Sequence, residues 1–160
     1  MKKTINKVAS KSTITKTKKR KISKTALRAA WVEALRSGNY KRTTGALSED
    51  GKYCCLGVAC EVYNKLIPDK LEIGNSFYNR KTYDNAVTLL PEKVKEAFGF
   101  NSFDGRFEES NENFALAKKV TKSTNECTLA TLNDSGGTFK KIADLIELEP
   151  KGLFTSKSKK

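Results

Sequence analysis

Few residues in this chain are suited to chemistry. Cys54, Cys55 and Cys60 lie close together, Cys127 stands apart, and the chain of 160 residues contains no His. Without His the commonest general base is missing, and with it the usual nucleophile triads and most catalytic zinc sites. Structural zinc takes Cys pairs spaced across a tight turn. Adjacent Cys54 and Cys55 within a helix do not provide that, and Cys55 and Cys60, five positions apart, share no helical face. The expectation is therefore small apolar thiols filling a tight helix contact, with no metal and no cofactor. Metal binding and a reactive thiol are the lesser alternatives.

The carboxylates are more numerous but spread out. Glu108, Glu109 and Glu112 fall in a polar loop, and Asp134 follows Asn133 at a helix end. A two-metal nuclease gathers several inward-facing acids at one point, and this spacing gathers none. Neither G-x-x-x-x-G-K-[ST] nor G-x-G-x-x-G occurs, which excludes nucleotide hydrolysis by those phosphate loops. Tyr53, Asn133 and Asp134 remain as candidate ligand contacts in a pocket of the body. The stretch TLNDSGGTF joins two helices through a glycine turn, as a helix-turn-helix does. Its second helix, however, brings Asp144, Glu147 and Glu149 against Lys140 and Lys141. Three acids do not suit a helix that enters a DNA groove. Asn133 and Asp134 either cap backbone groups around that turn or contact a ligand.

Elements that would position these residues follow from apolar spacing. Ser23 or Thr25 caps a first helix whose Leu27, Ala30, Trp31, Ala34 and Leu35 form one stripe, with Trp31 as a core anchor and Gly38 as the stop. A strand over 43–47, a turn over 49–51 and a return at 52–53 make a small hairpin. Residues 53–67 read as a buried helix ended by Pro68, in which Gly57 marks the close approach of another backbone. Short strands are expected at 71–73 and 77–83, turning at Gly74-Asn75, with Tyr78 and Tyr83 half exposed. A helix follows over 91–98, opened by Pro91 and closed by Gly99. Phe100, Phe103 and Phe107 pin the next loop to the core. Residues 114–120 fit helix or strand equally. Helices over 124–133 and from Thr138 onward complete the body, which Pro150 closes. The resulting fold class is α+β: a mostly helical single compact domain with a small β-hairpin or short antiparallel sheet.

Charge divides the chain differently from its apolar pattern. Residues 1–24 hold ten Lys and Arg and no acid, and residues 151–160 hold four Lys and no acid. Residues 25–150 then keep 17 basic and 18 acidic groups, so the net charge of +13 rides on the ends. The hydrophobic fraction of 38% is low against the roughly 45–50% apolar content of ordinary domains, which agrees with part of the chain staying outside the core. A disordered basic arm over 1–23, a body over 24–150 and a basic tail over 151–160 are the expected divisions. Mobile cations suit a polyanion. Lys16, Lys18, Lys19, Arg20, Lys21, Lys24, Lys157, Lys159 and Lys160 are the candidate nucleic-acid contacts, made to phosphates without sequence choice. An acidic protein or membrane surface, or a merely solubilising role, are the other uses of such ends. No apolar run approaches the about 18 residues of a membrane span, and the first thirty residues lack the apolar core of a secretory signal. No membrane partner is expected.

The motifs WVEALRSGNY at 31–40, GAL at 45–47, YCCLGVAC at 53–60, LPEKV at 90–94 and LNDSGGTFKKIADLIE at 132–147 together resemble a family of small proteins from tailed phages and bacteria. The resemblance covers about residues 26–149. It implies a phage or prophage origin and a place in the bacterial host cytoplasm or the virion; a host or phage protein is the possible partner expected for the body. It also implies that Trp31, Tyr40, Tyr53, Cys54, Cys55, Gly57, Asn133 and Asp134 belong to the shared body. No catalytic residue is carried over. The arm before Ser23 and the Lys-rich end depart from the family pattern. The combined expectation is a non-enzymatic accessory protein whose tails hold nucleic acid and whose body docks to a partner. The alternative is a binder of a small ligand or nucleotide.

Overall fold

Ser23 starts the fold: its Oγ accepts from Ala26 N at 3.1 Å and caps helix α1 (Lys24–Arg36). The computed structural model describes residues 21–156. Lys16, Lys18, Lys19, Arg20, Lys157, Lys159 and Lys160, and the expected disorder of the two ends around them, lie outside the described residues. Leu27, Trp31, Val32 and Leu35 face inward from α1, and Gly38, at φ +76°, turns the chain away. Trp31 is fully buried, edge-on to Phe98 and Phe100 at 5.8 and 5.4 Å, and its Nε1 donates to Cys55 O at 2.9 Å.

Strands β1 (Ser48–Glu49) and β2 (Lys52–Tyr53) make the first hairpin, two residues long on each side. Its first strand was expected over 43–47, and it begins instead at Ser48. Residues 43–47 are used elsewhere, since Leu47 N donates to Val87 O and Leu47 O accepts from Cys54 N. Helix α2 (Cys55–Leu66) is buried along both its expected faces, from Cys55 to Cys60 and again at Val62 and Tyr63. Gly57 is the close approach that its place in the helix suggested: a Cβ there would lie 1.8 Å from Leu47 O.

Strands β3 (Ile73–Ser76) and β4 (Arg80–Tyr83) pair antiparallel from Ile73↔Tyr83 to Ser76↔Arg80, and the sheet order is β2-β1-β4-β3. The turn expected at Gly74-Asn75 lies instead at Phe77–Asn79, where Tyr78 and Asn79 take left-handed φ of +62° and +53°. Pairing within the sheet, not the local Gly-Asn signal, decides the register. Neither tyrosine is half exposed. Tyr78 is 80% exposed at the tip and Tyr83 is fully buried against α2.

Helix α3 (Glu92–Phe98) follows Pro91 and ends at Gly99, φ +74°. Helix α4 (Asn111–Val120) settles the ambiguous stretch, with Ser110 as its cap. Helix α5 (Leu129–Asp134) starts later than expected because Thr128 caps it and residues 121–128 form a loop. Helix α6 (Phe139–Glu147) is capped by Thr138. Phe100 and Phe107 are core residues, but Phe103 is 40% exposed beneath Lys95, so it does not pin its loop.

Packing does not stop at Pro150. Leu153 is fully buried, Phe154 packs on Phe100, and Glu108 N and Asn101 N donate to Lys151 O and Leu153 O. Residues 151–155 therefore belong to the body. The boundary expected after Pro150 is corrected on this point, and two apolar residues in a Lys-rich end were the overlooked signal.

Candidate functional site

The Cys-rich start of α2 is the place where sequence-distant residues meet. Its first free N–H groups need acceptors. Cys54 Sγ accepts from Gly57 N at 3.3 Å, an unusual sulfur cap. The amide of Asn133 supplies the next acceptor, taking Cys55 N onto Oδ1 at 3.1 Å. Its Nδ2 donates to Thr43 O at 2.9 Å and to Asp134 Oδ1 at 3.0 Å. Asp134 Oδ1 also accepts from Gly45 N, and Arg42 Nη1 donates to Asn133 O at 2.7 Å. Asn133 is fully buried, and both its amide hydrogens are committed. It ties the 42–45 loop, α2 and α5 together.

Asn133 and Asp134 thus meet at one junction, while the Tyr53 ring packs against Tyr40 and Lys81 instead. Asn133 has no donor left for a ligand. Two large surface grooves lie elsewhere. One, about 660 Å³, runs between α1 and α2 past Ala30, Arg36, Tyr40 and Val62. The other, about 830 Å³, is bounded by Ile22, Leu27, Tyr63, Ile67 and Ala97. Neither is lined by Tyr53, Asn133 or Asp134. Asn133 and Asp134 act here as a structural clip, one of the two roles their position beside the turn allowed.

All four cysteines are buried and unbridged. Burial pushes the Cys54 thiol up to about 11 and holds Cys55 and Cys60 well above the ordinary thiol range. The thiols stay protonated and inert at neutral pH, the opposite of what a nucleophile needs. Among the described residues no three of Cys, Asp and Glu are placed to hold a metal ion.

A second cluster carried no sequence signal. Glu61 on α2 accepts from Tyr83 OH and, at 2.6 Å, from Lys81 Nζ. Lys81 Nζ lies 5.5 Å from the rings of both Tyr53 and Tyr83, and Tyr40 stands edge-on to Tyr53 at 5.3 Å. Burial, followed by the Glu61 carboxylate, drives the Tyr83 phenol far above its usual range. Burial works against the charge of Lys81, but Glu61 outweighs it and the ammonium is held above its ordinary value. Lys81 and Tyr83 both keep their protons near neutral pH, and their bonds to Glu61 tether β4 to α2.

Of the candidate phosphate contacts, two can be placed. Lys21 is exposed. Lys24 opens α1 with its stem beside the chain at Gly99, so it belongs to the body. Lys151, in the other end, pairs with Glu108 at 2.9 Å. The acids of α6 and the one just after it are also engaged: Arg36 binds Asp144 at 2.5 Å and Glu147 at 2.7 Å, and Arg28 binds Glu149 at 3.3 Å. No described helix is long and apolar enough to cross a membrane.

A family model described as a domain of unknown function (DUF8296) matches residues 23–150. No curated protein and no solved structure matches the chain.

Proposed function

The chain belongs to the DUF8296 family, whose description assigns no activity, and from the chain's own chemistry we propose a non-enzymatic accessory protein that holds nucleic acid through its basic ends and docks to a protein through its body. A phage or prophage origin, and a task in host takeover, defence evasion or genome packaging, are part of this proposal. One observation carries it: residues 1–24 and 151–160 contain fourteen cations and no acid, while the stretch between is nearly balanced. Chain segments of that kind neutralise phosphates and release counterions, with no means of reading bases. Docking by the body is supported by the β3–β4 tip, where Phe77 and Tyr78 are 86% and 80% exposed.

The test is duplex DNA binding as a function of salt. The full chain is compared with a variant in which Lys16, Lys18, Lys19, Arg20, Lys21, Lys157, Lys159 and Lys160 are replaced by Gln. Each phosphate contact contributes about 0.9 to the slope of log affinity against log salt. Losing most of eight contacts lowers the slope by roughly 5–7 and abolishes binding near physiological salt. A variant that binds with the parent's affinity and slope would overturn the proposal.

A further inference from the structure

Not all the cations of the described chain are neutralised inside the fold. Each of its arginines has a carboxylate or carbonyl partner: Arg28 with Glu149, Arg36 with Asp144 and Glu147, Arg42 with Asn133 O, Arg80 with Glu49, and Arg106 with Asp104 and Glu109. Several lysines have none, and half of these collect at one place. Lys118 and Lys119 end α4, Lys122 follows it, and Lys140 and Lys141 open α6. All five are exposed, and none has a carboxylate within ion-pair distance.

Packing brings the two sets together. Helices α4 and α6 lie against each other, with Lys119 and Lys141 on one shallow groove of about 140 Å³ beside Leu116, Leu145 and Leu148. A Cβ on Gly137, just before α6, would come 2.7 Å from Val120 at the end of α4. Thr121 Oγ1 donates to Ser135 O at 2.9 Å, which holds the Lys122 backbone beside the α5–α6 turn. Two acids border the group. Asp144 lines the same groove but is bound by Arg36, and Glu126 accepts from Thr131 Oγ1.

Helix stability does not account for this arrangement. Lys118 and Lys119 suit the negative end of α4, but Lys140 and Lys141 occupy the first turn of α6, where the helix dipole is positive and an acid is preferred. That turn contains no acid. The fold keeps two lysines where they oppose the dipole, next to three more, with no internal partner for any of them.

We infer that the exposed lysines at the α4–α6 junction form a fixed cationic face that seats the phosphate backbone of a nucleic acid. This rests on the polyanion-binding reading proposed above and extends it, because the folded body then contributes phosphate contacts of its own. The α6 acids that argue against DNA contact in the sequence do not oppose this face, since α1 arginines hold them. Contact is to phosphates, with α6 lying along the backbone and reading no base.

The test uses the full chain and duplex DNA. One variant carries Lys119→Gln, Lys122→Gln and Lys141→Gln. A control carries Lys41→Gln, Lys52→Gln and Lys65→Gln, which remove the same charge from exposed lysines away from the junction. Far-UV circular dichroism verifies that both fold. The junction variant is expected to lose about 2–3 from the salt slope, and the control less than 1. Equal losses in the two variants, or no loss in the junction variant, would overturn the inference. So would a junction variant that keeps its DNA slope but loses binding to phosphatidylserine vesicles. The neutralised-ends variant separates the two proposals. If it retains binding that the junction variant loses, the tail reading fails and the junction face stands. If it alone loses binding, the junction face fails. A full chain that binds no DNA removes both.

Discussion

Replacing Asn133 by Ala separates a structural clip from a ligand contact. The substitution removes the acceptor of Cys55 N–H and the donor to Thr43 O, both directed into the protein. A buried polar group left without a partner costs about 1–3 kcal/mol. Cys55 is fully buried, so its N–H falls at the upper end. Thr43 is half-buried and its carbonyl can recruit water, which puts it at the lower end. Together they amount to about 4 kcal/mol, a large share of the stability of an ordinary domain. The assay is urea unfolding followed by circular dichroism. With a slope of about 2 kcal/mol per molar urea, the midpoint falls by roughly 2 M. Asn133→Asp provides the second arm. It preserves an acceptor for Cys55 N–H but turns a carboxylate oxygen toward Thr43 O and Asp134, and is expected to be at least as damaging at pH 7. A midpoint shift below about 0.3 M for Asn133→Ala would refute the clip, because removing a residue kept for ligand contact leaves stability near neutral or raises it.

Two further outcomes follow from the same core. Gly57→Ala places a methyl 1.8 Å from Leu47 O, which is backbone and cannot rotate away, so α2 and the 47 segment must part. A loss of about 3 kcal/mol or more is expected, at or beyond the upper end of ordinary overpacking costs, and thermal unfolding measures it. Alkaline pH should destabilise the protein through its thiols. Burial raises the folded Cys54 value to about 11 from an ordinary 9.0, so its contribution is complete below pH 9 and is lost as pH rises toward 11. Cys55 and Cys60 shift in the same direction. Urea midpoints measured from pH 7 to 10.5 should be flat to about pH 9 and then fall, and a Cys54→Ser variant should show a shallower fall.

Charge partition and most helix limits were legible in the chain because they depend on neighbours in sequence. Ser23 and Thr138 cap helices by bonding N–H groups three positions on, and Gly38 and Gly99 stop them by adopting positive φ. Gly57 announced a close contact because a glycine inside a buried helix needs a reason. The identity of its neighbour, Leu47 O, was not local information. Nor was the register of the β3–β4 hairpin, where ladder pairing moved the turn from Gly74-Asn75 to Phe77–Asn79 against the preference of Tyr78 for negative φ. Tertiary structure alone decided which polar groups meet. Cys55 N and Asn133 Oδ1 are 78 positions apart, and Arg36 reaches Asp144 across 108. A side chain's hydrogen bonds depend on which backbone groups packing leaves unpaired, and composition does not encode that. The same holds for the lysines of α4 and α6. Their number was visible from the outset, but that they make no ion pair depended on packing, in which an α1 arginine engages Asp144 and Glu147.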